Sequence, residues 1–304
     1  MPKITDDQLA NWTKPAFGNE EEKADATEQM IREAIKAHPL LGSLSNKIRV
    51  FAKGSFKNNT NVRRDSDVDV AVEYQEMILP DYANGATFAS TGLVPYAGVF
   101  KDGGVAAYKA AVGQAMRTAF GSAAVDGSGN KVFTVRESTR SLAADVVPCV
   151  TYRLYQPSGS YRQGIELILD RPDGKRHHNY PDQHYANGVQ KNQDTKMRFK
   201  RVVRILKNIE NKLVEEGELA AVPSYLMECL AYNVADQAYT GSDEWREIVT
   251  TACAVIYGYA KRDEPPTGRW LEVNGHKWLF HPGQRWNRQD ARTFAARAFA
   301  MVDD

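Results

Sequence analysis

The segment Gly54-Ser55-Phe56-Lys57-Asn58-Asn59-Thr60-Asn61-Val62-Arg63-Arg64-Asp65-Ser66-Asp67-Val68-Asp69-Val70 constrains this chain more than any other stretch. Its end is strand-like: Val68, Val70 and Val72 alternate with polar neighbours, and side chains two apart on a strand share a face. Asp67 and Asp69 therefore point the same way. Two anions held side by side repel unless a cation lies between them, and Mg²⁺ held by a few carboxylates plus substrate phosphates is the usual solution. The Gly54-Ser55 turn upstream offers backbone N–H groups and a hydroxyl to phosphate oxygens. A bare Asp-X-Asp is more often a solubilising surface strand. The Gly-Ser turn and the apolar strand behind the carboxylates favour a nucleotide-phosphate and metal site instead.

A second anomaly lies in Leu142-Ala143-Ala144-Asp145-Val146-Val147-Pro148-Cys149-Val150, where one carboxylate, Asp145, interrupts an apolar run. A lone charge in a core strand is costly unless it is paired or bound to metal. A strand-end position near the surface is the competing explanation. Pro148 lacks a ladder donor, so this strand is expected to be short or bulged there.

Composition narrows the function classes. The chain has 304 residues, enough for one large or two ordinary domains, and its 42% hydrophobic and 25% charged residues are ordinary for a soluble globular protein. A formal net charge of only +1 disfavours a non-specific duplex binder, so no obligatory nucleic-acid partner is expected. Cys149, Cys229 and Cys253 sit in apolar stretches outside any metal-ligand spacing, as reduced core thiols of a cytoplasmic protein would. Neither a signal-like apolar region after Met1 nor a membrane-length apolar run is present, so no membrane partner is expected.

Periodicity places the remaining elements. Residues 19–38 read as an amphipathic helix, 47–53 as a strand delivering Gly54-Ser55, and 67–74 as its antiparallel partner if the loop closes a hairpin. Residues 75–104 read as an irregular insertion, 105–120 as a helix, and Asp126-Gly127-Ser128-Gly129-Asn130 as a turn between two short strands. Residues 164–170 and the turn Arg171-Pro172-Asp173-Gly174 suggest another hairpin arm. His177, His178 and His184 read as polar loop residues rather than metal ligands, because no further ligand accompanies them at ligand spacing. A long helix is expected from Asp194 to about Glu216. Lys196, Lys200, Arg204 and Lys207 fall on one side of it and Val202, Ile205, Leu206, Ile209 and Leu213 opposite. The apolar stripe is core. The basic stripe is either a solvated face or a surface for triphosphate. Pro223-Ser224-Tyr225 opens a further helix, with Ser224 an N-cap that is also placed to attract phosphate. Residues 270–282 form a short hairpin around Asn274-Gly275, and a last helix carries Ala291, Phe294, Ala295, Ala298, Phe299 and Val302 at core spacing.

Gly-Ser, a basic polar loop and Ser-Asp-Val-Asp-Val resemble the signature of the polymerase-β-like nucleotidyltransferases. Ala-Asp-Val-Val-Pro, the helix start Asp194-Thr195 with its basic run, and Pro-Ser-Tyr are similar to the bacterial cGAS/DncV-like branch of that superfamily. The resemblance spans about residues 20–300. It implies a bilobed α+β fold: a mixed or antiparallel catalytic sheet flanked by helices in 1–190, and a helical lobe closing over the nucleotide in 191–304. It implies that Asp67, Asp69 and Asp145 are catalytic and hold two Mg²⁺ ions, with Mn²⁺ an alternative. Asp145 would also orient or deprotonate the acceptor hydroxyl. Gly54, Ser55, Lys207 and Ser224 would grip phosphates, Lys200 and Arg204 would assist, and Tyr225 would stack on the donor base. Lys57, Arg63 and Arg64 either contact substrate or decorate a solvated loop. The implied activity joins NTPs (ATP, GTP or pyrimidine NTPs) into a cyclic di- or trinucleotide with loss of pyrophosphate, in anti-phage signalling beside a downstream effector. The rivals are transfer to a separate RNA, protein or antibiotic acceptor, and a non-catalytic nucleic-acid sensor.

Overall fold

Alternating valines and a run of amphipathic helices build two units with separate cores. The computed structural model describes residues 3–15, 19–62, 67–139, 141–170, 176–262 and 268–303. The chain starts with helices α1 (Asp6–Trp12), α2 (Asn19–Ala37) and α3 (Pro39–Ser43), then strand β1 (Ile48–Lys53), the short helix α4 (Gly54–Asn58) and strand β2 (Val68–Tyr82). Helix α5 (Gly104–Phe120) precedes β3 (Val125–Asp126), β4 (Phe133–Val135), β5 (Ala144–Tyr155), β6 (Tyr161–Leu167) and β7 (His177–Asn179). The rest is helical: α6 (Pro181–Asp194), α7 (Phe199–Glu215), α8 (Tyr225–Asn233), α9 (Asp236–Thr240), α10 (Trp245–Ala260) and α11 (Arg288–Asp303).

One unit comprises Asn19–Phe56 and Asp65–Pro181, the other Met1–Gly18, Lys57–Arg64 and Asp182–Asp304. The helical unit includes the stretch Asp182–Asp304. It also takes in the N-terminal segment and the stretch after Phe56.

In the sheet unit the strand order is β1-β2-β5-β4-β3, with β6 on β5 and β7 on β6. β1 and β2 are antiparallel, as the hairpin reading expected, whereas β2 and β5 run parallel, so the sheet is mixed. Val68, Val70, Val72 and Tyr74 of β2 and Val146 and Val150 of β5 are buried in one cluster with Ile31 and Ile35 of α2 and Tyr108, Val112 and Met116 of α5. Period-two alternation puts the intervening residues on the other face, where Ala71, Cys149 and Ile165 make a small apolar patch beside the acidic positions.

Two expectations for these strands need correction. β2 continues to Tyr82, its pairing with β5 shifting register between Tyr74 and Ile78, so the irregular insertion starts only after Tyr82. Pro148 neither shortens nor bulges β5. It lies between the β4 ladder, which ends at Val146, and the β6 ladder, which starts at Cys149. Its carbonyl accepts the Ile168 N–H at 3.1 Å, so its missing donor falls in the gap between neighbours. The β3–β4 hairpin forms as expected, its turn stabilised by Asp126 Oδ1 accepting the Ser128 N–H at 2.8 Å. The turn at 171–174 lies outside the described residues.

The helical unit is organised around α7. Phe199, Val202, Ile205, Leu206, Ile209 and Leu213 pack with Leu226 and Leu230 of α8, Ile248 and Ile256 of α10 and Phe294 of α11. The expected helix from Asp194 starts only at Phe199, after a break that separates it from α6. Lys196 and Met197 adopt φ of 52° and 63°, a left-handed backbone that no helix continues through. Thr195 Oγ1 accepts the Phe199 N–H at 3.0 Å and Asn192 Oδ1 the Lys200 N–H at 3.1 Å, so side chains before the break cap the helix after it. Leu271 bridges Trp278 around Gly275, as the short-hairpin reading expected. Cys149, Cys229 and Cys253 are buried free thiols.

Candidate active site

Register brings the carboxylates together. Asp69 lies directly opposite Asp145 across the parallel β2–β5 pair, and Asp67 precedes Asp69 by one pleat on the same face. Burial, and then the charges of Asp145 and Asp69, raise the Asp67 carboxyl above the ordinary aspartate value. Asp67 therefore senses both neighbours as like charges. Asp67 is exposed while Asp69 and Asp145 are half-buried, so a ligand from solvent can reach all three.

Neighbouring strands hold two of them. Lys53 stands opposite Asp69 on β1, and its Nζ donates to Asp69 Oδ1 at 2.9 Å. Thr134 stands opposite Asp145 on β4, and its hydroxyl donates to Asp145 Oδ1 at 2.7 Å. Sequence reasoning missed both residues. Lys53 carried a signal, since it sits at the hairpin mouth beside Gly54; Thr134 carried none, because only the β4–β5 register places it.

Gly54 and Ser55 open helix α4 instead of forming a loose turn. Gly54 has φ +70°, and a Cβ there would overlap Asp69 Oδ2 and lie 3.2 Å from Asp69 Cγ. Only glycine lets the main chain pass this close to the carboxylate. The first turn of α4 leaves amide N–H groups to partners outside the helix.

The oxygen donors of Asp67, Asp69 and Asp145 suit a hard divalent cation. Among the described residues no three His, Cys, Asp or Glu side chains converge as a complete ion cage.

In the helical unit the residues read as a basic stripe part company. Lys196 lies in the interhelical break and is off the stripe. Arg204 is 5% exposed; it donates through Nε (2.9 Å) and Nη2 to the Thr13 carbonyl and through Nη1 to the Asn59 carbonyl. Lys207 is 3% exposed and donates to the Thr60 carbonyl at 2.9 Å, while Thr60 donates to Glu228 Oε2 at 3.1 Å. Arg204 and Lys207 thus both fasten the segment after α4. Lys200 remains half-buried, 5.8 Å from the exposed Tyr185 ring, which Lys57 approaches at 5.1 Å. Arg63 and Arg64 lie outside the described residues.

Ser224 does not cap α8: its side chain makes no capping hydrogen bond and it is exposed. Tyr225 packs edge-on to Trp286 and beside His184, and burial pushes its hydroxyl well above the ordinary tyrosine value. The histidines are not loop residues. His177 and His178 belong to β7, and His184 on α6 hydrogen-bonds buried Glu228 at 2.7 Å.

Comparison with known proteins decides the family. The chain is 34% identical to the cyclic dipyrimidine nucleotide synthase CdnE of Cecembia lonarensis over 97% of both chains. It is 36% identical to the enzyme of the same name from Legionella pneumophila, over 96% of this chain and 95% of that one. This chain belongs to the cGAS/DncV-like nucleotidyltransferases. The family's C-terminal helical domain matches residues 186–303. A Rhodothermus marinus CdnE c-UMP-AMP synthase, solved with Apcpp and Upnpp, superimposes with a TM-score of 0.80 at 29% identity, covering 97% of this chain and 95% of that one. The chain is accordingly a cGAS/DncV-like nucleotidyltransferase that makes cyclic oligonucleotides. The α+β fold with its mixed sheet and C-terminal helices stands as the resemblance implied. Among the described residues, no helix is long and apolar enough to cross a membrane.

Proposed function

We propose that the enzyme joins two nucleoside triphosphates, at least one a pyrimidine, into a cyclic dinucleotide with loss of pyrophosphate at Asp67, Asp69 and Asp145. The observation that carries this is the Asp69–Asp145 register on one sheet face, with Gly54 packed against the same carboxylate. The pyrimidine choice follows the names of the relatives from Cecembia lonarensis and Legionella pneumophila. Asp67, Asp69 and Asp145 would hold Mg²⁺, two ions, with Mn²⁺ an alternative. When bound, the metal neutralises charge developing on the phosphoryl oxygens.

The protein's own contribution is positioning. Thr134 fixes Asp145 Oδ1, leaving Oδ2 to receive the acceptor hydroxyl proton. Gly54 and Ser55 bring the start of α4 to the phosphates. Lys200, Arg204, Lys207, Ser224 and Tyr225 are the nucleotide ligands proposed for the helical unit. The 1–190 and 191–304 division into catalytic core and lobe belongs to the same proposal. So does a cytoplasmic setting in which the product activates a separate effector in anti-phage signalling.

Incubation of the purified protein with Mg²⁺ and all four NTPs, read by mass spectrometry after phosphatase, tests the reading. A phosphatase-resistant cyclic product containing a pyrimidine is expected, and Asp69→Asn with Asp145→Asn should lower it on the order of 10³-fold or more. A product that forms only with an added acceptor, or a double variant of wild-type activity, would overturn it.

A further inference from the structure

Three carboxylates crowd one sheet face, Asp69 lying opposite Asp145 and Asp67 two residues before Asp69. Among the described residues, Lys53 is the Lys or Arg that pairs with Asp69, and no other Lys or Arg pairs with Asp67, Asp69 or Asp145. Its amine is held rather than adventitious. The side chain is 14% exposed, it rises from β1 directly opposite Asp69, and the next residue is the Gly54 whose main chain lies against the other Asp69 oxygen. Both oxygens of this carboxylate are thus approached from two consecutive residues at the β1–α4 junction.

We propose that Lys53 is a positioning residue that orients Asp69 and competes with the divalent cation for it, setting the metal affinity of the cluster. The inference rests on the proposed metal reading of Asp69. An ammonium 2.9 Å from Oδ1 occupies one of the oxygens the metal needs, and its charge repels an arriving dication. It also relieves carboxylate repulsion when no metal is bound, so the chain tolerates an empty cluster. The two effects predict opposite signs in two measurements. Removing the charge tightens metal binding and lowers the stability of the metal-free protein.

The test is Mn²⁺ titration of the full chain, stripped with chelator, following free Mn²⁺ by electron paramagnetic resonance without nucleotide. Lys53→Met, which keeps most of the stem, should bind Mn²⁺ ~5- to 10-fold tighter than wild type, and Lys53→Arg should bind like wild type. Lys53→Met should melt lower than wild type in chelator, with the gap narrowing at saturating Mn²⁺. Lys53→Gln is the second variant should Lys53→Met not fold. Equal or weaker Mn²⁺ binding by the neutral variants overturns the inference, because a merely structural lysine could not tighten binding when removed. Asp69→Asn separates the two readings. If it loses Mn²⁺ binding while Lys53→Met is unchanged, the metal site stands and only the role of Lys53 falls. If Asp69→Asn binds as wild type does, the metal reading itself has failed.

Discussion

Gly54 and Asp69 form the tightest coupling in the catalytic motif. The glycine has φ +70°, and any Cβ would press on Asp69. Gly54→Ala meets both objections at once, since a left-handed backbone costs an L-residue about 1–2 kcal/mol and the carboxylate must also move. Misplacement of about 1 Å at a reacting group costs on the order of 10²-fold. Gly54→Ala should therefore lose roughly 10²-fold in product formation while still folding, measured by initial rate and by melting temperature; a wild-type rate would show that Asp69 tolerates the shift. The Gly-Ser pair and the same-face geometry of Asp67 and Asp69 were legible in the sequence because both follow from local rules. Lys53 and Thr134 were not, because their roles arise from cross-strand register over segments far apart in the chain.

Elements α7 and α8 explain why the basic stripe read from the sequence is not a solvated face. Arg204 and Lys207 are drawn inward by the carbonyls of Thr13, Asn59 and Thr60, and Glu228 ties Thr60 to His184. A helical wheel shows which residues share a side; it does not show that a distant segment will cover that side. Burial alone would raise the Glu228 carboxyl, but His184, Lys207 and the Thr60 hydroxyl together hold it below its usual value. A carboxylate depressed in the folded state adds stability above the unfolded value of about 4.3, and that stability is lost as pH falls through the folded value. Glu228→Gln should cost about 3–5 kcal/mol at pH 7, because it removes the buried negative charge that His184 pairs with and that offsets Lys207. In urea unfolding series the variant should lose less stability than wild type on descent below about pH 4.3. If the two chains lose stability equally, Glu228 is not the ionised anchor. The interhelical break offers a milder check: Thr195→Val removes the acceptor for the Phe199 N–H and should cost about 1 kcal/mol by the same measurement.

At the scale of the whole molecule, net charge and the two cores matter most. With a formal charge of +1 the chain has no global attraction to nucleic-acid backbone. Product formation from NTPs should accordingly be unchanged, within twofold or so, when the purified enzyme is treated with nuclease beforehand, read by the same mass-spectrometric assay. A strict loss after nuclease would mean that an acceptor or activator had co-purified. Each unit buries its own apolar cluster, one under the β2–β5 sheet and one around α7. The alternation of Val68, Val70 and Val72, and the apolar spacing of Val202 to Leu213, already assigned those residues to cores. By itself, then, the sequence determined the type of α2, β1, β2, α5, α7, α8 and α11, the shared face of the first two carboxylates and the family's chemistry, because periods of two and 3.6 and local turn chemistry act over a few residues. Tertiary structure alone decided that Asp145 faces Asp69, that Lys53 and Thr134 hold them, that residues 57–62 join the helical unit and that Arg204 and Lys207 turn inward. Those outcomes depend on which distant backbone groups arrive to satisfy a buried charge, and no local pattern encodes that.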